Sequence, residues 1–190
     1  MAPDLVGAVL VHRRRDGRHL GGRIVEVEAY LGDGSDPAAH SHPGPTDRNR
    51  TMFGPPGRLY AYRSYGIHTC VNVVCEAAGR GAAVLLRALE PQGDLASMRA
   101  LRGLRPDAPE REIARGPGRL GQAMAFELAH DGHSLLRGPI GVYAAPEGQP
   151  PVRIAVGPRV GITKAAELPY RFWEEGSRWV SGFRAGRRKR

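Results

Sequence analysis

"GRLYAYRSYGIHTCVNVV", residues 57–74, gathers Tyr60, Tyr62 and Tyr65, three of the chain's six tyrosines, into six positions. Only 6% of the 190 residues are aromatic, so the crowding needs a local reason. "RLYAY" (58–62) and "IHTCVNVV" (67–74) are rich in β-branched and aromatic residues and read as strands. The intervening "RSYG" reads as a tight hairpin turn, with Gly66 supplying a positive φ. A hairpin with a tyrosine at its tip is the seed of the fold.

Outward from the hairpin the pattern stays strand-rich. Strands are predicted at "GAVLVHR" (7–13) and "GRIVEVEAY" (22–30), joined by a turn at Asp16-Gly17, and at "GAAVLLRALEP" (81–91). "GVYAAP", "VRIAVGP" and "RFWEEGSRWVSG" add shorter ones toward the end. Leu95, Met98 and Leu101 predict a helix over 94–103, and a second is predicted over 117–128 after Pro117. Leu31 to Pro56 reads as a loop rich in Gly, Pro, Ser, His and Asp, and loops that long are functional or disordered. No repeat or linker breaks the chain. One mixed α/β domain over 1–183 is expected, with a basic, disordered tail over 184–190.

Composition limits the function. At 41% hydrophobic the chain can bury a substantial core. No run approaches 18 apolar residues, and "MAPDLVGAVLVHRRR" lacks a signal-peptide cleavage region, which predicts a soluble cytoplasmic protein. Twenty-eight basic against 19 acidic residues give a net charge of +9, which suits a polyanionic partner because each neutralised phosphate releases a counterion. Lys164 and Lys189 are the only lysines, leaving few amines for Schiff-base chemistry. Cys70 and Cys75, if on one strand, lie some 16 Å apart at about 3.3 Å per residue, too far to bridge. His40-x-His42, His130-x-x-His133 and Cys70-x4-Cys75 match no compact zinc pattern, so no metal is expected.

Strand alternation exposes polar residues in apolar company. On "RIVEVEAY", Val25, Val27 and Ala29 share one face, and Ile24, Glu26, Glu28 and Tyr30 the other. Glu26 is expected to point at solvent, as half-exposed antiparallel sheets allow. Arg87 shares a face with Leu85 and Leu89, and Asn72 with Cys70 and Val74, so both are expected to be buried. A buried arginine wants a carboxylate, and Glu28 fits by pattern. The two together can hold and activate a water.

"GRIVEVEAYLG", "AAHS", "RNRTMF", "PGRLYAYRSYGIHTCVNV", "VLLRALEP" and "RVGI" near residue 160 follow one another in an order that resembles the alkyladenine (3-methyladenine) DNA glycosylase family, with similarity from about Leu5 to Ser181. The resemblance implies a curved antiparallel sheet with a protruding β-hairpin, edged by helices, and a monomer acting on double-stranded DNA that contains damaged purines. It implies no cofactor and no membrane, in a cytoplasmic, nucleoid-associated setting. Such an enzyme takes its base out of the stack and hydrolyses the N-glycosidic bond in a dry pocket.

Residue by residue, Glu28 matches the family's general base, with Arg87 and the backbone carbonyl of Val160 helping to hold its water. Tyr30 matches the aromatic on one face of the flipped base, and His40 and Tyr62 those on the other. Asn72 matches the group that disfavours the amino group of guanine. Tyr65 matches the wedge that enters the minor groove, beside Ile67 and His68, while Arg48 and Arg50 are candidate phosphate contacts. Tyr60 is expected to be ordinary core. The family usually carries a further helix before the segment equivalent to "DLVGAVLV", and this sequence starts almost at it. Two other readings stay open here: a non-catalytic binder of damaged DNA or RNA, and a hydrolase of free nucleosides.

Overall fold

Strand β2 (His19–Tyr30) organises the sheet in the computed structural model, which describes residues 1–146 and 148–182. The basic tail over 184–190 lies outside the described residues. One edge of β2 pairs with β5 (Ala83–Gly93) over residues 20–30. Its other edge is shared, with β1 (Val9–Arg13) on residues 19–23 and β8 (Arg171–Glu174) on residues 26–28. The expected hairpin is β3 (Leu59–Ser64) and β4 (His68–Val74), and β4 docks on β5. β6 (Ile140–Tyr143) closes on β1, and β7 (Ile154–Gly157) pairs with β8. Every pairing is antiparallel, in the order β3-β4-β5-β2-β1-β6, with β8 and β7 branching from β2 into one curled half-barrel sheet.

The branch point is irregular for a reason. Ile24 faces Leu89, but Glu26 faces Ala88 and Val27 faces Leu86. Val25 is thus an extra residue on β2 and Arg87 one on β5, two one-residue bulges that cancel. A bulge shifts side-chain parity and sharpens the local bend. Ile24 and Val27 therefore both enter the main core, while Val25 packs with Ala88 and Trp179 in a separate cluster. Strict alternation over 24–29 is corrected accordingly. Leu89, expected on the face of Arg87, belongs to the core on the other side, whereas Leu85 stays with Arg87. Glu26 is also corrected: it is fully buried rather than turned to solvent.

The core fills the side of the sheet covered by helices. α1 (Ala2–Leu5), α2 (Leu95–Leu101) and α3 (Pro117–Ala123) supply Leu5, Met98 and Leu120 to a cluster with Val27, Leu59, Val71, Val73 and Leu86. Asp94 caps α2 by accepting the Ser97 N–H at 2.9 Å. α3 stops five residues short of the expected end. Ala125 takes a positive φ of 52°, and the N–H groups of Phe126 and Ala125 return to the carbonyls of Gly121 and Gln122 at 2.8 and 3.0 Å. This is a Schellman closure with alanine where glycine is usual, so the sequence carries no stop signal there.

α3 lies directly on β4 at Gly121, where an added Cβ would sit 1.9 Å from the Thr69 carbonyl oxygen. Backbone cannot yield as a side chain can. Gly121→Ala should lose about 1–3 kcal/mol or more, lowering the melting temperature by about 2–4 °C per kcal/mol. Gly118→Ala meets the His68 side chain, with Cγ at 2.7 Å, rather than backbone, and should lose less in the same melting experiment.

Candidate active site

The side of the sheet away from the helices carries a cavity of about 410 Å³. Period-2 geometry explains its lining: Leu59 and Ala61 turn to the core, so Tyr60 and Tyr62 turn to the cavity, and on β4 Cys70 and Asn72 do the same. The long loop over 31–56 supplies the rim through Ala38, His40, Arg48 and Met52. It is a folded segment, stapled by buried Asn49, whose amide donates to the carbonyls of His40 and Gly44 at 2.8 and 3.0 Å.

Three aromatic rings form one wall. Tyr60 and Tyr62 stack with centroids 5.6 Å apart, and His40 stands edge-on to Tyr62 at 4.5 Å. Tyr60 is buried, as expected of a core residue, but it also lines the cavity, and its hydroxyl lies 3.0 Å from His40 Nδ1. Burial pushes the Tyr60 phenol up to about 12. Partial enclosure of the His40 ring, and then Arg48, lower the imidazole pKa, so at neutral pH this wall is uncharged. Asn72 is buried, and its amide donates to the Tyr60 carbonyl at 3.2 Å, which fixes its orientation.

At the back lies the polar centre, and here the compensated bulges matter. Arg87 donates from Nε to Glu26 Oε1 at 2.8 Å, while its Nη1 is 3.0 Å from Glu28 Oε2 and 3.5 Å from the Val160 carbonyl oxygen. Glu28 accepts the Val160 N–H at 2.6 Å on Oε1 and the Tyr30 hydroxyl at 3.0 Å on Oε2. Glu28 is fully buried, and its partners Tyr30, Arg87 and Val160 line the cavity in front of it. Burial lowers the Arg87 pKa, but Glu28 and Glu26 outweigh it and keep the guanidinium charged. Burial raises that of Tyr30, and the carboxylate of Glu28 adds to the rise. A locked carboxylate, a cation and a carbonyl oxygen can together order a small polar molecule and take a proton from it.

The tip of the hairpin stands at the mouth. The Ile67 N–H closes the turn on the Ser64 carbonyl at 3.2 Å, with Tyr65 and Gly66 at φ of 49° and 72°. The positive φ at Gly66 is as expected, and the left-handed Tyr65 is an addition that the sequence does not announce. A two-residue hairpin turn favours positive φ at both central positions, and a non-glycine residue there costs of order 1 kcal/mol. Tyr65 is 85% exposed and also borders the cavity. Arg48 lines the mouth and donates to the Arg63 carbonyl at 3.2 Å. Arg50, Ile67 and His68 stand outside the lining: Arg50 pairs with exposed Asp47, Ile67 is exposed, and His68 packs over Gly118.

Sequence reasoning missed the frame behind these groups. Arg159 and Asp36 form a buried two-point ion pair at 2.6 and 2.8 Å, and the guanidinium also lies over the rings of Tyr30 and Tyr170 and donates to the Ala29 carbonyl. This pair ties the long loop to the residue before Val160. The sole signal for it was Arg159 opening "RVGI". Glu26, Arg171 and Ser181 were missed as well. A second cavity, lined by His42, Thr46 and Lys164, adjoins the first and shares His40 in its wall.

The chain belongs to the methylpurine-DNA glycosylase family, whose model matches residues 1–178. It is 52% identical over 181 residues to a protein of Rhodopseudomonas palustris (strain HaA2), covering 95% of this chain and 84% of the relative. A protein of Methanoculleus marisnigri is 53% identical over 183 residues, covering 95% of this chain and 92% of the relative. Both relatives carry the name "Putative 3-methyladenine DNA glycosylase".

Burial alone raises the Asp36 pKa, but Arg159 and the N–H groups of Leu31 and Ala38 outweigh it and hold the carboxyl below its usual value. A lowered acid pKa contributes stability above the unfolded value, about 4, that is lost as pH falls through the lower folded value. Asp36→Asn, which strands Arg159, should cost about 3–5 kcal/mol in urea unfolding at pH 7. Its stability should also depend less on pH below about 4 than that of the wild type.

Proposed function

We propose that this chain is a monofunctional DNA glycosylase that hydrolyses the N-glycosidic bond of flipped-out alkylated or deaminated purines, among them 3-methyladenine, 7-methylguanine, hypoxanthine and ethenoadenine. The observation that carries this reading is the buried Glu28 carboxylate, held by Val160, Tyr30 and Arg87 behind an aromatic-walled cavity.

In the proposed reaction the base leaves the duplex and enters between Tyr30 on one side and His40 and Tyr62 on the other. An alkylated purine that carries positive charge is drawn to aromatic faces by cation–π attraction. A neutral His40 does not oppose it. The same positive charge makes the base a good leaving group. A water held between Arg87 and the Val160 carbonyl attacks C1′ while Glu28 takes its proton. The C1′–N bond breaks, its electron pair leaves with the base, and the sugar keeps the water's oxygen. The product is an intact abasic site. Asn72, its amide fixed on the Tyr60 carbonyl, disfavours the amino group of unmodified guanine, whose neutral ring is also a poorer leaving group than that of 7-methylguanine.

The hairpin serves the DNA. Tyr65 fills the gap the base leaves in the minor groove, beside Ile67 and His68, and Arg48 and Arg50 meet phosphates. Each phosphate contact releases a counterion, in keeping with the net charge of +9. The protein acts as a monomer at the nucleoid and needs no cofactor. Among the described residues, no helix is long and apolar enough to cross a membrane.

Glu28→Gln tests the chemistry. Base release from lesion duplexes should fall by about 10²–10⁴-fold while lesion binding stays nearly intact. A variant keeping more than about a tenth of the wild-type single-turnover rate contradicts the role of Glu28. Borohydride should trap no adduct from wild-type reactions, and EDTA should not slow them.

Tyr65→Ser tests the wedge. Flipping costs a few kcal/mol, less for a mispaired base. Excision should therefore slow more for a well-paired lesion than for the same lesion mispaired. Wild-type rates in both contexts would leave Tyr65 as mere turn decoration.

A further inference from the structure

Two residues before Glu28, on the same strand, sits a second fully buried carboxylate that the reaction does not use. Glu26 accepts four hydrogen bonds. Its Oε1 takes Arg87 Nε at 2.8 Å, Arg171 Nε at 2.7 Å and Ser181 Oγ at 2.8 Å, and its Oε2 takes the Ser181 N–H at 2.7 Å. Arg171 Nη2 then returns to the Ser181 carbonyl at 3.1 Å, and Arg87 Nη2 lies 3.4 Å from Ser181 Oγ. Of these three partners only Arg87 reaches the cavity.

Arg87 is therefore held from behind. A guanidinium is a rigid planar fork, so anchoring Nε on Glu26 and Nη2 on Ser181 dictates where Nη1 points. It points at Glu28 Oε2 and the Val160 carbonyl. Charge is balanced in the same stroke. Glu26, Glu28, Arg87 and Arg171 are two anions and two cations, all with side chains under 10% exposed. Stability alone is a poor reason for such a cluster, since well-packed apolar residues often serve a fold as well or better.

We infer that Glu26, with Arg171 and Ser181, is a positioning group that sets the place of Arg87 and the charge felt by Glu28. This rests on the glycosylase reading of Glu28. It also ties the C-terminal segment to the chemistry. Ser181 is held in place through its chain neighbours: Arg115 Nε donates to the Val180 carbonyl at 2.6 Å, and Trp179 packs with Val25 and Ala88.

The reading predicts effects of opposite sign. Glu26→Gln leaves an excess positive charge beside Glu28, and Arg171→Gln an excess negative one. The other ionisable groups around the two carboxylates are Tyr30, Tyr62 and Cys70, whose pKa values burial raises, and Arg159, which Asp36 keeps charged. None of these titrates below neutrality. His40, whose pKa burial lowers, does titrate there in this cavity, but it packs on Tyr60 and Tyr62 and its contribution is common to every variant. The displacement of the acid limb between variants therefore reports on the cluster.

The experiment is single-turnover release of methylated bases from methylated duplex DNA across pH, with melting curves and lesion binding measured on each variant. Glu26→Gln should slow release by about 10²-fold and move the acid limb down by about one pH unit. Arg171→Gln should move that limb up by a similar amount, and the double variant should return it to the wild-type position. Ser181→Ala, which changes no charge, should slow release without moving the limb. If the cluster only braces the fold, rates will fall in step with melting temperature, the limb will stay fixed in every variant, and the inference is overturned. Should Glu26→Gln fail to fold, Arg171→Gln and Ser181→Ala decide by the same readouts. Full activity in Glu28→Gln would instead remove the role given to Glu28, and no base release by the wild type would remove the glycosylase reading itself. A dead Glu28→Gln with immobile limbs in the cluster variants sinks this inference alone.

Discussion

The guanidinium of Arg87 is the constraint on which the site depends. It is buried between two carboxylates of one strand, Glu26 at 2.8 Å and Glu28 at 3.0 Å. A charge in that place is tolerable only when it is paired and hydrogen-bonded, because removing one partner of a buried pair leaves an uncompensated ion. The structure meets the demand by bending its backbone. Compensating bulges at Val25 and Arg87 let the two glutamates share a face while Ile24 and Val27 both keep their places in the core. The bend also coincides with the point where β2 exchanges β1 for β8 as its neighbour, which brings Arg171 into the cluster.

Around that centre, rigid and exposed parts are kept separate. The aromatic wall is built on adjacent strands, where the pleat fixes ring positions, and His40 is brought to it by a loop that Asn49 and the Asp36–Arg159 pair hold in shape. The hairpin that carries the wall also carries Tyr65 into solvent at a strained φ. One supersecondary unit thus lines the cavity at its base and marks the mouth at its tip. A movement of the hairpin would alter both.

Much of this is legible in the sequence. The hairpin, the long strands, both central helices and the burial of Arg87 and Asn72 follow from alternation, turn chemistry and the cost of unpaired polar groups. So does the pairing of Arg87 with Glu28, since a buried cation demands an anion and few are in register. The departures have physical causes. α3 ends short of its predicted span because Ala125 adopts a left-handed conformation without the glycine that normally announces it. A period-2 reading turns Glu26 to solvent because it has no way to see that β8 and Ser181 cover that part of the strand.

By itself, the sequence determined which segments are strands, where the chain turns back, and which residue types stand ready for chemistry, because those follow from local backbone preferences and from alternation along a strand. Only the tertiary structure decided who meets whom across long separations. Asp36 with Arg159, Glu26 with Arg171 and Ser181, and Val160 with Glu28 are each more than 100 residues apart. No local rule links them. They are brought together by two bulges, a branched strand edge and a folded loop, features whose stability comes from the contacts they create.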